Sequence, residues 1–169
     1  MREVDDAADF FGQGFSCSQA VLSAYCERFG LPREAAFSAY CEHFGLPRKV
    51  ALRLSDELGG GLGGGTGDLG KTCGAVTGAM MVLGLAHGLT RPEDHETKKA
   101  TTESLRSLVE RFEACHGSVV CRDLLGHEID TPEKLRAVRE KGLLTTVCPK
   151  LVRSAAKITG DLLDPVTTR

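Results

Sequence analysis

Seven cysteines in 169 residues are the side chains best suited to chemistry in this chain, and their local settings divide them into two groups. Cys17 follows Ser16, a good N-cap for a helix carrying Ala20, Val21 and Ala24, and Cys73 follows Thr72, a second N-cap, at the head of an apolar run. Cys121 lies three residues after Ser118, and Cys148 directly precedes Pro149, the residue favoured in a first helical turn. Four cysteines therefore open four predicted helices. Free N–H groups and the positive end of a helix dipole stabilise a thiolate, so these positions favour nucleophilic attack, disulfide exchange or metal ligation. Lys71, two residues before Cys73, adds positive charge there, which makes Cys73 the expected low-pKa thiol. Cys26 and Cys41 sit inside predicted helices, and Cys115 ends a long one before His116-Gly117, so structural burial is expected of all three. Cys115 and Cys121 are also near enough in sequence to form a resolving pair.

No C-x-x-C occurs, which argues against thioredoxin-type motifs, common zinc ribbons and covalent haem attachment. Any site must be assembled from distant segments. Gly65-Thr66-Gly67-Asp68-Leu69-Gly70-Lys71-Thr72 satisfies both the phosphate-loop string and G-x-G-x-x-G, but no apolar strand leads into it and no acidic partner for magnesium or ribose follows. A nucleotide site is not expected. His87 and His127 adjoin glycines and are expected to cap or face solvent rather than ligate a metal.

The elements that must position these thiols are helical. Val4, Ala7, Ala8 and Phe11 form one stripe, Leu105, Leu108, Val109 and Phe112 a second, and Leu151, Ala155, Ile158 and Leu162 a third. Sustained alternation is absent, and the only β-like fragment, Ser118-Val119-Val120-Cys121, is short. The expected fold is all-α, a single-domain helical bundle over 1–169. Its centre is the uncharged helix of residues 73–86, preceded by a Gly-rich loop at 59–70 whose composition excludes regular structure. Gly74 and Gly78 leave one face of that helix nearly bare, open to close approach by another helix or a cofactor. Further helices are expected over 93–114, 131–141 and 149–163. A tandem repeat, SAYCExFGLPR at 23–33 and again at 38–48, duplicates one short helix ending in Gly and Pro.

Composition narrows the function. Twenty-one Lys and Arg against 23 Asp and Glu give a net charge of −2, a poor match to nucleic acid, and no stretch is long and apolar enough for a membrane span. The acidic start, Met1-Arg2-Glu3-Val4-Asp5-Asp6, lacks the pattern of a secretory signal, which predicts a cytoplasmic protein with reduced thiols.

In order and spacing, Cys17-Ser18-Gln19-Ala20-Val21, the Gly-rich loop, Cys73-Gly74-Ala75-Val76-Thr77-Gly78, Cys121-Arg122-Asp123-Leu124-Leu125-Gly126 and Cys148 resemble the redox-active protein family named for its C-GCAxxG-C-C cysteine pattern. The resemblance implies four signature cysteines: Cys17, Cys73, Cys121 and Cys148. It further implies a prokaryotic protein, a functional link to a transporter, and a likeness to a domain of split-Soret cytochromes for which an iron–sulfur centre has been considered. Three functions stand open: thiol/disulfide electron transfer with a redox partner, with Cys73 paired to one of the other three; an iron–sulfur cluster or metal ion held by Cys17, Cys73, Cys121 and Cys148; or a non-catalytic helical accessory protein. The chain departs from the family by the surplus repeat, which lengthens the connection from Cys17 to Cys73. Geometry separates the first two readings, since one close sulfur pair favours disulfide exchange and four clustered sulfurs favour a metal.

Overall fold

A computed structural model describes residues 1–30, 64–88 and 91–164. The second repeat copy, Cys41 and residues 59–63 of the Gly-rich loop lie outside the described residues. What is described is all-α: α1 (Arg2–Gly12), α2 (Cys17–Tyr25) running into a 3₁₀ turn (Cys26–Phe29), α3 (Gly74–His87), α4 (His95–His116), α5 (Cys121–Leu125), α6 (Pro132–Glu140), α7 (Leu143–Thr146) and α8 (Cys148–Leu163). No helix among the described residues is long and apolar enough to cross a membrane.

Helix α3 is central, as its uncharged sequence predicts. It packs against α2, α4 and α8 and buries Ala75, Val76, Ala79, Val82 and Leu83. The stripes of the other helices meet it: Val21 and Tyr25 from α2, Leu108 and Phe112 from α4, Leu151, Val152 and Ala155 from α8. Tyr25, in the first repeat copy, is fully buried and donates its hydroxyl to the Ala156 carbonyl at 2.6 Å, tying the end of α2 to α8. A smaller apolar cluster lies beside this core, built from Cys121, Leu125, Ile129, Val138 and Cys148.

Two close approaches set the register of the cysteine-bearing helices. At Gly78 an added Cβ would lie 2.6 Å from the Ser18 carbonyl oxygen and 3.1 Å from Val21 Cβ, so the bare face of α3 is filled by α2, one residue after Cys17. The β-like fragment makes a single antiparallel bridge, Thr72 with Val120. Around it Cys73 N–H donates to the Val119 carbonyl at 2.8 Å, and Cys121 N–H donates to the Lys71 carbonyl at 2.6 Å. Residues 118–121 thus act as a clasp between the starts of α3 and α5 rather than as part of a sheet.

These contacts give an internal control within one helix. Gly78→Ala forces Cβ against α2 backbone and is expected to lower stability by about 1–3 kcal/mol in chemical denaturation. Gly84→Ala, where the added Cβ meets nothing within 4 Å, is expected to be neutral or to stabilise by up to about 1 kcal/mol through helix propensity.

Candidate functional site

Each signature cysteine stands at a helix start. Cys17 is the first residue of α2, behind a capping box in which Ser16 Oγ accepts from Gln19 N–H and Gln19 Oε1 accepts from Ser16 N–H. Cys73 is itself the N-cap of α3, so the boundary expected at Thr72 falls one residue later, because Thr72 is held in the bridge. Cys121 and Cys148 open α5 and α8, with Pro149 in the first turn of α8.

The four thiols line one cavity of about 170 Å³, at the boundary between the main core and the smaller cluster. Its apolar wall includes Phe11, Leu125, Ile129, Leu135, Leu144 and Leu151, and the exposed Asp68 and Arg139 also reach it. Gly65, left-handed at φ 72°, is drawn so close to Cys121 that a Cβ there would fall 2.6 Å from Cys121 Cβ. The Gly-rich string that imitates a nucleotide motif is, in its described part, packing against a cysteine: Lys71 N–H turns back to the Gly65 carbonyl at 2.6 Å.

Within the cavity the thiols are not equivalent. Cys73, Cys121 and Cys148 are buried, at 2%, 7% and 6% exposure, whereas Cys17 is half-buried. Burial pushes Cys73 up to about 11, although the N–H groups of Ala75 and Val76 act in the opposite sense. Burial and the neighbouring thiols Cys73 and Cys148, with Asp68, push Cys121 up to about 12. Cys73 is expected to be the low-pKa thiol, but its burial acts more strongly than its helix start, and the Lys71 side chain is exposed. The acidic thiol is Cys148, lowered chiefly by the hydrogen bond it receives from Cys17 and also by backbone N–H at its own helix start. Cys17, which donates that S–H, is raised well above the ordinary thiol value by the bond, by burial and by the surrounding sulfurs.

Of the four thiols, Cys17 and Cys148 perturb each other most strongly, and Cys73 and Cys121 line the same cavity. Among the described residues no group of three or more His, Cys, Asp or Glu is arranged to hold a metal ion. Cys26 is buried as expected and donates to the Leu22 carbonyl at 3.5 Å. Cys115, expected to be buried, is exposed, because the buried positions of α4 end at Phe112. His127 bonds the Leu125 carbonyl through Nδ1 at 2.9 Å and Lys141 through Nε2 at 2.7 Å, which fits its expected capping role. The cavity wall from Ile129, Leu135, Arg139 and Leu144 was not foreseen from sequence. The only local signal for it is the spacing of Leu135 and Val138 on a short, otherwise charged helix.

An all-α scaffold that gathers four helix-start thiols around one cavity defines a cysteine-based redox class. The family comparison agrees: residues 33–162 match the model described as "Putative redox-active protein (C_GCAxxG_C_C)", and the chain belongs to that family. The match holds Cys73, Cys121 and Cys148; Cys17 precedes it in the chain yet joins them in space. Among curated proteins and among solved structures, nothing matches the chain.

The coupling of Cys17 and Cys148 has a direct readout in thiolate titration, followed by ultraviolet absorbance. In the reduced protein one thiolate is expected below the ordinary thiol value of 9.0, so that it forms as pH rises before those of Cys17, Cys73 and Cys121. Cys17→Ala removes the donor and should move this titration upward, whereas Cys17→Ser retains an O–H donor and should leave it low.

Proposed function

We propose that the protein transfers electrons by thiol/disulfide exchange, with Cys148 as the attacking thiolate and Cys17 as its partner. The observation that carries this reading is that the four signature thiols line one cavity, within which Cys17 and Cys148 perturb each other most strongly, Cys148 toward the thiolate. Attack requires a thiolate, and of the four signature sulfurs only Cys148 is shifted toward one. Oxidation takes two electrons from the pair, joins the two sulfurs and releases the proton of Cys17 to an external redox partner or to water. Cys73 and Cys121 remain protonated through neutral pH and keep the cavity apolar and closely packed.

A four-cysteine cluster or metal ion is the second reading, favoured by one fact: all four signature thiols line the same cavity. Against it, no group of three or more His, Cys, Asp or Glu among the described residues is arranged to hold a metal ion.

Mass spectrometry with differential alkylation tests the choice. After oxidation the wild-type protein is expected to carry a Cys17–Cys148 disulfide that dithiothreitol reverses. Cys17→Ser and Cys148→Ser should abolish it, while Cys26→Ser should leave it intact. A disulfide at another pair would overturn the assignment, as would stoichiometric iron or zinc in anaerobically purified protein lost equally on replacing any of the four cysteines.

A further inference from the structure

We propose that the electron acceptor for the pair is a small alkyl hydroperoxide that enters the cavity and reacts at Cys148, while the reductant, a dithiol, acts from outside at Cys17. This inference rests on the thiol/disulfide reading above and adds its substrate class and direction.

Access differs between the two sulfurs. Cys148 is 6% exposed and faces the cavity, whereas Cys17 is half-buried at the same place. Thiol–disulfide exchange at Cys148 would require a bulky disulfide to present its S–S bond to a sulfur only 6% exposed, in a cavity that Leu144 and Leu151 also line. A peroxide needs to deliver only an oxygen atom. At about 170 Å³ the cavity is slightly larger than the roughly 150 Å³ that accommodates benzene, so it takes about six heavy atoms. Beside the thiols its wall is largely apolar, with Phe11, four leucines and Ile129, which suits an alkyl group, and Asp68 and Arg139 bring opposite charges that give an anion no advantage.

The chemistry balances with the groups present. The Cys148 thiolate attacks the terminal oxygen of RO–OH, the O–O bond breaks, and Cys148 becomes a sulfenic acid. The departing alkoxide takes the Cys17 proton and leaves as the alcohol ROH. Cys17, now a thiolate beside the sulfenic sulfur, attacks it, forms the S–S bond and expels hydroxide. The two sulfurs have given up two electrons and the peroxide has accepted them. In the return step a thiolate of the external dithiol attacks the more accessible Cys17 sulfur. Cys148 departs as the more acidic and hence better leaving group, and the second thiol of the reductant then releases Cys17 and closes the reductant's own disulfide.

The test exposes the reduced full-length protein to equal concentrations of tert-butyl hydroperoxide, cumene hydroperoxide or oxidised glutathione, with disulfide formation followed by quenched alkylation. The Cys17–Cys148 bond is expected to form at least about tenfold faster with tert-butyl hydroperoxide than with the other two. Leu144→Ala should narrow the gap by admitting cumene hydroperoxide, and Cys17→Ser should leave a sulfenic acid at Cys148 that dimedone captures. Equal rates for oxidised glutathione and tert-butyl hydroperoxide would overturn the inference while leaving the dithiol reading in place, and so would oxidation by cumene hydroperoxide at the same rate. If diamide, a general thiol oxidant, also fails to join Cys17 to Cys148, the dithiol reading itself falls.

Discussion

The arrangement of the thiols depends on a two-residue clasp of backbone. Cys73 N–H and Cys121 N–H each donate across the Thr72–Val120 bridge, so the amides of two signature cysteines are the hydrogen-bond donors that hold their helices together. A buried N–H left without a partner costs about 1–3 kcal/mol, so neither helix start can drift from the other without leaving a donor unsatisfied. Gly78 does the equivalent work on the other side by letting the backbone of α2 sit directly on α3. Cys17, Cys73 and Cys121 are thereby placed by main-chain contacts, and Cys148 follows because α8 packs against α1, α2, α3 and α4 together.

Once the sulfurs are gathered, two electrostatic effects compete at each. A helix start favours the thiolate, and removal of water disfavours it. Cys73 and Cys121 show desolvation prevailing, since both are pushed well above the ordinary thiol value. Cys148 is as buried as Cys121, yet it is lowered, because a neighbouring S–H takes the place that water would have filled. The environment that keeps two thiols inert therefore concentrates acidity in a third. A single acidic thiol among protonated ones is better suited to directed attack than four equal thiolates, whose mutual repulsion would oppose packing.

Much of this was legible in the chain. The stripes through Ala7, Leu108, Phe112, Leu151 and Ala155 place the helices, and Ser16, Thr131 and Pro149 mark starts that the structure retains to within a residue. The four cysteines stand out by the same capping signals, and Cys73, Cys121 and Cys148 fall within the family match. What local sequence does not encode is desolvation, which depends on which segments cover a residue. At Cys73 burial therefore works against the helix-start rule, and the rule for helix C-termini buries Cys115, which is exposed. The coupling between Cys17 and Cys148 is likewise invisible to any local rule, since it links the first turn of α2 to the first turn of the last helix described.

That separation along the chain has a topological consequence. A bond between Cys17 and Cys148 would turn a linear polymer into a covalent ring on the order of 130 residues around, enclosing α2 through α7. In the chain-entropy account, closing so large a loop restricts the unfolded ensemble enough to stabilise the native state by roughly 5 kcal/mol, before any strain is subtracted. Oxidation would then lengthen the lifetime of the fold as well as store electrons, and the reduced form would be the one more readily unfolded and degraded.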